Sequence, residues 1–291
     1  MTDRQTDRQA DVAVSIIIPH YNSVILLRKL LLSIPDRDWI QVIVVDDHSD
    51  KLLDEYEAVK QEFSRDRGYL FLENPEKYAG TARNHGMKYS TGKWLMFADS
   101  DDYFTEDFEK IICRHLDDEE DLICFTPTSV NIDEPDKKCY RHLHYQRIVE
   151  DCVVSPSDVH EHQLRYSYWA PWSKLIRRSV VISNGIQFEA SKHSNDILFS
   201  AKCGAYACKI KAVDETIYCV TKNSNSITQQ RNEEDQKIRD REYDKYIWWI
   251  KCHIGLNGRR AMGWSWATYL NIIHTHYKKR IKNFLNREGN L

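Results

Sequence analysis

The sequence lacks the features of membrane-spanning, disulfide-bonded and low-complexity proteins. No run of 18 consecutive apolar residues occurs in its 291 residues, which argues against a membrane-spanning helix. The eight cysteines include no C-x-x-C pair, so we expect reduced, mostly buried thiols of a cytoplasmic protein. Glycine (10) and proline (7) are too scarce for a collagen-like or low-complexity chain. The polar residues 1–11 contain no apolar segment typical of a signal peptide.

Neither sign of charge dominates the chain as a whole. Lys and Arg number 41 against 44 Asp and Glu, which excludes a strongly basic protein and predicts no nucleic-acid partner. The balance is uneven, because residues 251–291 carry a net charge of +7 and the rest of the chain therefore carries −10. We expect the two parts to have different partners. The 42% of hydrophobic residues are enough to form a sizeable core.

Short apolar runs alternate with helix-forming segments, which predicts an α/β fold with a mostly parallel sheet flanked by helices. The helical pattern recurs at 24–34, which Asn22 or Ser23 could cap, and at 78–89. Five strands are expected at 12–19, 41–45, 69–72, 93–98 and 121–125. Farther along, we expect an extended segment at 137–144, a strand at 210–220, and helices at 155–166, 195–207, 232–253 and 260–287.

Polar residues follow several of these strands at the point where each strand ends. They include Pro19 to Asn22, Asp46 and Asp47, and Asp99 to Asp102. In open α/β sheets, ligands bind beyond the carboxyl ends of the strands. The sequence therefore predicts that independent strands bring carboxylates to one edge of the sheet.

Each of these polar segments has a functional and a purely structural interpretation. Asp99, Asp101 and Asp102 would repel one another unless a cation or solvent relieved them, and Mg²⁺ is often held by one or two carboxylates plus substrate phosphates; a solvated loop is the alternative. Asp46 and Asp47 could accept hydrogen bonds from a nucleotide or simply form a turn.

Arg83 lies in the segment GTARNHG, which is not the G-x-G-x-x-G dinucleotide motif. Its guanidinium could pair with a diphosphate in a bidentate manner, or it could be an ordinary surface arginine of an amphipathic helix.

Four segments together resemble the family 2 glycosyltransferases of the GT-A fold, the bacterial group that builds capsular and O-antigen polysaccharide. They are VSIIIPHYN, VIVVDDHSD, GTARNHG and FADSDDYF, and they occur in that order. The resemblance covers about residues 12–130, continues more weakly to about 228, and does not extend to the last 60 residues. It implies a metal-dependent, inverting transfer of a sugar from a nucleotide-diphosphate donor, UDP-linked in our interpretation.

The resemblance also implies which residues bind the donor. Asp101 would ligate Mn²⁺ or Mg²⁺ bridging the diphosphate, Asp99 would contact the ribose side, and Ser100 lies between them. Arg83 would lie near the nucleotide and its diphosphate.

The nucleobase side follows from the same resemblance. Pro19 and Tyr21 would line the base, with Tyr21 available to stack on it. Asp47 would read the edge of the base, and Asp46 is the second choice.

On the acceptor side, the resemblance implies that Asp196 is the catalytic base. Asn195 stands where the family usually has Glu, and an ordinary first-turn aspartate of a helix is the alternative interpretation of Asp196. The segment 172–175 would form the acceptor-side wall, and the segment 222–228 would close over the diphosphate.

The expected domain organisation is a GT-A catalytic domain at 1–230, with a nucleotide-binding half at 12–130 and an acceptor half at 131–230. A basic and aromatic helical extension would follow at 231–291. Its residues 246–287 would either contact an anionic membrane surface or cap the catalytic domain.

The acceptor is expected to be a growing, lipid-linked cell-surface glycan at the inner face of the plasma membrane. Two alternatives stay open: a catalytically silent partner that binds sugar nucleotides or glycans, and a nucleotidyltransferase.

Overall fold

The computed structural model describes residues 12–134, 136–222, 232–255 and 258–259. Strands and helices alternate in its first part, as the sequence predicts. They are β1 (Val14–His20), α1 (Val24–Ser33), β2 (Ile40–Asp46), α2 (Leu53–Arg67), β3 (Leu70–Glu73), α3 (Ala79–Tyr89) and β4 (Trp94–Phe97).

The second part mixes short strands with helices. Its elements are β5 (Tyr103–Phe104), α4 (Phe108–Cys113), β6 (Leu122–Asn131), α5 (Leu143–Val154), α6 (Asp158–Tyr166), β7 (Lys174–Arg177), α7 (Arg178–Ser183), α8 (Ile197–Tyr206), β8 (Ile210–Lys222) and α9 (Glu233–His253).

The described strands form one eight-stranded sheet in the order β3-β2-β1-β4-β7-β6-β8-β5. The strands β3, β2, β1 and β4 pair in parallel, as do β6 and β8. The strand β7 joins the two groups by pairing antiparallel with β4 and with β6, and β5 pairs antiparallel with β8. The predicted α/β fold with a mostly parallel sheet is thereby confirmed.

The core of the first part lies between β1, β2 and the helices packed on them. Every residue of β1 is buried, as expected for a parallel strand covered on both faces. The helix α3 approaches these strands closely at Gly86, where a Cβ would lie 2.6 Å from Cγ2 of Ile17 and 3.2 Å from Cγ2 of Val45. A glycine is therefore required at this crossing of helix and sheet.

The structure corrects several predictions of secondary structure. Residues 137–142 form turns and irregular backbone, and α5 then begins at Leu143, so the extended segment expected at 137–144 is wrong. The helix α2 was not predicted. The expected side-chain cap of α1 is absent, because the Ser23 hydroxyl lies 2.7 Å from that of Ser100 instead.

The helix α9 confirms the expected helix at 232–253 to within one residue. Its residues Tyr246, Ile247 and Ile250 are buried in a second hydrophobic cluster with Tyr166 and Ile197. The helix expected at 260–287 lies outside the described residues. Within the described ranges, no helix combines the length and apolar character needed to cross a bilayer.

Candidate active site

Asp46, at the carboxyl end of β2, is anchored inside the protein. Its Oδ1 lies 2.8 Å from Nδ1 of His20, and it also accepts a 2.6 Å hydrogen bond from Oγ of Ser49. Burial would raise the pKa of Asp46, but these hydrogen bonds outweigh burial and lower that pKa. Asp46 therefore serves as a fixed, ionised support at the end of the strand.

Asp47 is more accessible than Asp46 and is held by the chain that precedes α3. Its Oδ1 accepts a hydrogen bond of 2.7 Å from Nδ2 of Asn74, and the backbone N–H of Tyr78 lies 2.9 Å from both carboxylate oxygens. Partial burial raises the pKa of Asp47 in spite of these contacts. The side chain is oriented by its neighbours while remaining partly exposed.

Tyr21 presents its ring to solvent beside these aspartates. Pro19 is buried in β1, whereas Tyr21 is 47% exposed. The next residue, Asn22, has a positive φ of 52° and accepts hydrogen bonds from the backbone N–H groups of Asp50 and Lys51. These contacts connect the loop after β1 to the loop after β2, so the backbone that carries Tyr21 is held in place.

Arg83 links two segments that are far apart in the sequence. Its Nη2 donates to Oδ1 of Asp99 at 2.5 Å, and its Nη1 donates to Oδ1 of Asn195 at 3.0 Å. The arginine is only 5% exposed, and its Nε has no hydrogen-bond partner among the described residues. The end of β4 and the start of α8 therefore meet at one buried guanidinium.

The acidic loop after β4 is held from behind by β8. Asp102 is buried and accepts hydrogen bonds from the Tyr218 hydroxyl (2.9 Å) and from the Thr221 backbone N–H (2.7 Å). The hydroxyl of Thr221 donates to the backbone carbonyl of Asp101 at 2.7 Å. Burial, together with the charges of Asp101 and Asp99, raises the pKa of Asp102 well above its ordinary value.

The carboxylates of this loop are suitable ligands for a divalent cation, although the described protein groups alone would not complete its coordination shell. Among the residues that the structure describes, no group of three or more His, Cys, Asp or Glu side chains could hold a metal. Asp99 and Asp101 carry carboxylates in a loop where burial, together with the charges of these two residues, raises the pKa of Asp102. Two carboxylates are the protein share typical of Mg²⁺ sites completed by substrate phosphates.

Asp196 immediately precedes α8 and lies close to the Arg83 junction. Its side chain is partly buried and does not cap the helix. Burial raises the pKa of Asp196, which the positive charges of Arg83 and Lys174 partly oppose. A carboxylate with a raised pKa and a cationic neighbour has the properties of a general base.

The structure thus brings Arg83, Asp99 and Asn195 into direct contact, with Asp196 beside them, while Asp46, Asp47 and Tyr21 lie at the neighbouring strand ends. Sequence reasoning missed the residues that hold these groups in place, namely His20, Asn74, Tyr78, Tyr218 and Thr221. His20 and Asn74 carried a signal, since each lies at a strand end, His20 inside the PHYN segment and Asn74 directly after β3. Most of the segment 222–228, expected to close over the diphosphate, lies outside the described residues.

Comparison with known proteins supports the resemblance seen in the sequence. The model of the family described as "Glycosyl transferase family 2" matches residues 15–167, which is more than half of the chain. A curated relative, the uncharacterized glycosyltransferase YibD of Escherichia coli (strain K12), is 23% identical over 245 residues, covering 80% of this chain and 68% of YibD.

Two solved structures share the fold. TarS of Staphylococcus aureus in complex with UDP-GlcNAc superposes with a TM-score of 0.59 at 22% identity, covering 79% of this chain and 65% of that one. The mannosyltransferase PcManGT from Pyrobaculum calidifontis, in complex with GDP-Man and Mn²⁺, gives a TM-score of 0.58 at 16% identity, covering 83% and 66%. The chain spans about two thirds of the length of YibD, of PcManGT and of TarS residues 1–349, but 35% of the whole TarS sequence. The expected GT-A fold is confirmed, and the chain belongs to glycosyl transferase family 2.

Proposed function

We propose that this protein is an inverting, metal-dependent glycosyltransferase that moves a sugar from a UDP-linked donor to a hydroxyl of a growing cell-surface glycan. The observation that carries the proposal is the junction at Arg83. This one buried side chain binds Asp99 on the donor side and Asn195, the neighbour of the candidate base Asp196. Groups for both halves of a transfer reaction are therefore held together.

The donor nucleotide would bind at the carboxyl ends of β1 and β2. The exposed Tyr21 ring is available to stack on the nucleobase beside Pro19, and the partly exposed Asp47 can accept hydrogen bonds from its edge. A uridine donor is favoured because TarS, named as a poly(ribitol-phosphate) β-N-acetylglucosaminyltransferase, binds UDP-GlcNAc.

The donor diphosphate would lie at the acidic loop, beside Arg83. Asp101 would hold Mn²⁺ or Mg²⁺, which neutralises charge on the departing diphosphate when bound, and Asp99 would contact the ribose side. The Nε of Arg83 is a buried donor that lacks a partner among the described residues, and a phosphate oxygen could accept its hydrogen bond.

The reaction would proceed in one displacement. Asp196 accepts the proton of the acceptor hydroxyl, whose oxygen forms a bond to the anomeric carbon from the face opposite the diphosphate. The bond between that carbon and the diphosphate oxygen breaks, the nucleoside diphosphate leaves with the electron pair, and the anomeric configuration inverts. The raised pKa of Asp196 suits this role, because a base is most effective when its pKa approaches the working pH.

The acceptor would be a lipid-linked glycan at the inner face of the plasma membrane. The net charge of +7 over residues 251–291 favours attraction to anionic lipid or to a lipid diphosphate. In α9, Trp248 is 69% exposed and is available for contact with an interface. We propose that residues 1–230 form the catalytic domain and that residues 231–291 form an extension of it.

The test is a donor screen with the purified protein and Mn²⁺, monitoring the release of each nucleoside diphosphate. We expect UDP release from one UDP-sugar and loss of that release in Asp101→Ala. Asp66→Ala, which removes an exposed aspartate of α2, is the matched control and should retain wild-type turnover. Asp196→Asn should bind the donor but lose transfer.

The alternatives predict different products. Binding of a sugar nucleotide without turnover across the whole panel would indicate a silent binding partner. Pyrophosphate release would indicate a nucleotidyltransferase. Full turnover by Asp101→Ala would contradict the metal-binding role.

A further inference from the structure

The first turns of α9 contact the short loop that leads into Asp196, here defined as residues 189–196 and called the base loop. Asp235, in the first turn of α9, is only 2% exposed. Its Oδ1 accepts a hydrogen bond of 2.9 Å from Nζ of Lys192 and lies 2.9 Å from Nε2 of His193. Farther along α9, Lys245 forms a 2.6 Å ion pair with Glu189. The helix thus holds the base loop at three positions.

The base loop is closed by its own hydrogen bonds. The backbone N–H of Glu189 donates to the carbonyl of Asn195 at 3.1 Å, and the Ser191 hydroxyl donates to the carbonyl of His193 at 3.0 Å. Nδ2 of Asn195 donates to the carbonyl of Ser191 at 3.1 Å. A displacement imposed on His193 is therefore transmitted to Asn195.

Polar contacts continue from the base loop to the donor side. They run from Asn195 to Arg83 and from Arg83 to Asp99. The opposite face of the loop has little freedom, since a Cβ on Gly80 would lie 2.3 Å from the carbonyl oxygen of Glu189 and 2.9 Å from Cβ of Asn195. The loop is held between α3 and α9.

We propose that Asp235 is a positioning residue for the transfer reaction, which acts through Lys192 and His193 to fix the base loop and thereby place Asp196 and Arg83. The proposal rests on the function proposed above for its activity readout. It also implies that the working catalytic unit continues past residue 230 into α9. A buried carboxylate at this point, whose partners all belong to its own helix end or to the base loop, is better explained by this role than by helix capping alone.

The test compares Asp235→Ala with a control from the same helix turn. Glu233→Ala removes the same charge from an exposed side chain, whose partner Lys237 lies on the solvent side of α9. Asp235→Asn keeps the volume and one acceptor oxygen, so it should fold and retain part of the effect. Two quantities are measured for each variant: amide hydrogen exchange of residues 189–196, and kcat and donor KM in the UDP-release assay.

We expect Asp235→Ala to speed exchange in the base loop and to lower kcat by roughly tenfold to hundredfold, since small misplacements of a reacting group have effects of this size. Donor KM should rise by a smaller factor than kcat falls, because Tyr21 and Asp47 are held by other elements and only Arg83 links the base loop to the donor side. Asp235→Asn should fall between Asp235→Ala and wild type. His193→Ala combined with Asp235→Ala should be little worse than Asp235→Ala alone, because Asp235→Ala already removes the contact with His193.

The proposal is overturned if base-loop exchange in Asp235→Ala equals that of Glu233→Ala, or if the two variants share the wild-type kcat. Hydrogen exchange decides the positioning role even if the wild-type protein turns over no donor. Absence of turnover in the wild-type protein would refute the proposed function. The contact between α9 and the base loop would then be judged from hydrogen exchange alone.

Discussion

Replacing Arg83 with methionine should destabilise the folded protein by about 3 kcal/mol. Methionine keeps much of the aliphatic volume but removes the donors to Asp99 and Asn195. Breaking a fully buried ion pair costs roughly 3–5 kcal/mol. The side chain of Asp99 is 35% exposed and can be rehydrated, which favours the lower end of that range.

The second contribution comes from Asn195, which is 7% exposed. Its Oδ1 loses a charged donor, and an unsatisfied buried acceptor costs about 1–3 kcal/mol. Because both losses arise from the same substitution, the total loss of stability is expected to be smaller than their sum. Arg83→Lys keeps the charge but can satisfy only one of the two acceptors, so we expect a loss of about 1.5–2 kcal/mol.

The measurement is urea-induced unfolding followed by circular dichroism, with the free energy extrapolated to water. Arg28→Met is the matched control, because Arg28 pairs with Glu62 while both side chains are well exposed, at 48% and 39%. Exposed pairs contribute about 0–1 kcal/mol. If Arg83→Met and Arg28→Met lose the same stability, the Arg83 junction does not hold β4 and α8 together as described.

Three further variants test separate features. Burial raises the folded-state pKa of Asp196 above its unfolded value. Wild type should therefore lose stability relative to Asp196→Asn as the pH rises above about 4, and the difference in stability should vanish in more acidic solution. A pH-independent difference in Tm between the two proteins would contradict this. Gly80→Ala should cost about 1–3 kcal/mol in urea unfolding because its Cβ meets Glu189. Gly255→Ala should be near neutral, because its Cβ would have no atom of the described residues within 4 Å. Tyr21→Ala should weaken UDP binding in calorimetry by about 1–3 kcal/mol if the ring stacks on the base, and an unchanged Kd would exclude that contact.

The sequence predicted the carboxyl ends of β1 to β4 to within one residue, because buried parallel strands leave a local signal of short β-branched runs, but it ended β6 at residue 125, six residues too early. It missed α2, in which only Val59 and Phe63 are buried and the apolar periodicity is correspondingly weak. It also missed β7, whose four residues pair with β4 and β6. Those partners are distant in the sequence, so no local pattern marks the strand.

Within the site, the sequence identified the groups of reactive type but not the side chains that orient them. Tyr218 and Thr221 fix Asp102 from a strand more than 100 residues away. The resemblance placed Arg83 near the diphosphate, whereas its contact with Asn195 depends on how α3 packs against the base loop. Such contacts are properties of the packed structure and leave no local motif.

The structure also gives a reason why Asn195 does not favour a silent binding protein. Asn195 stands where the family in the resemblance usually has Glu, and the loss of that carboxylate would favour a silent binding protein. Its Oδ1 accepts a hydrogen bond from Arg83 and its Nδ2 closes the base loop at Ser191. A carboxylate here would have no N–H for Ser191 and would draw part of the Arg83 charge away from Asp99 and Asp196. With the neutral amide, Arg83 remains the main positive charge that lowers the pKa of Asp196 against burial. Asn195 therefore keeps the base loop closed and leaves Arg83 to favour the ionised form of Asp196, which is compatible with an active transferase.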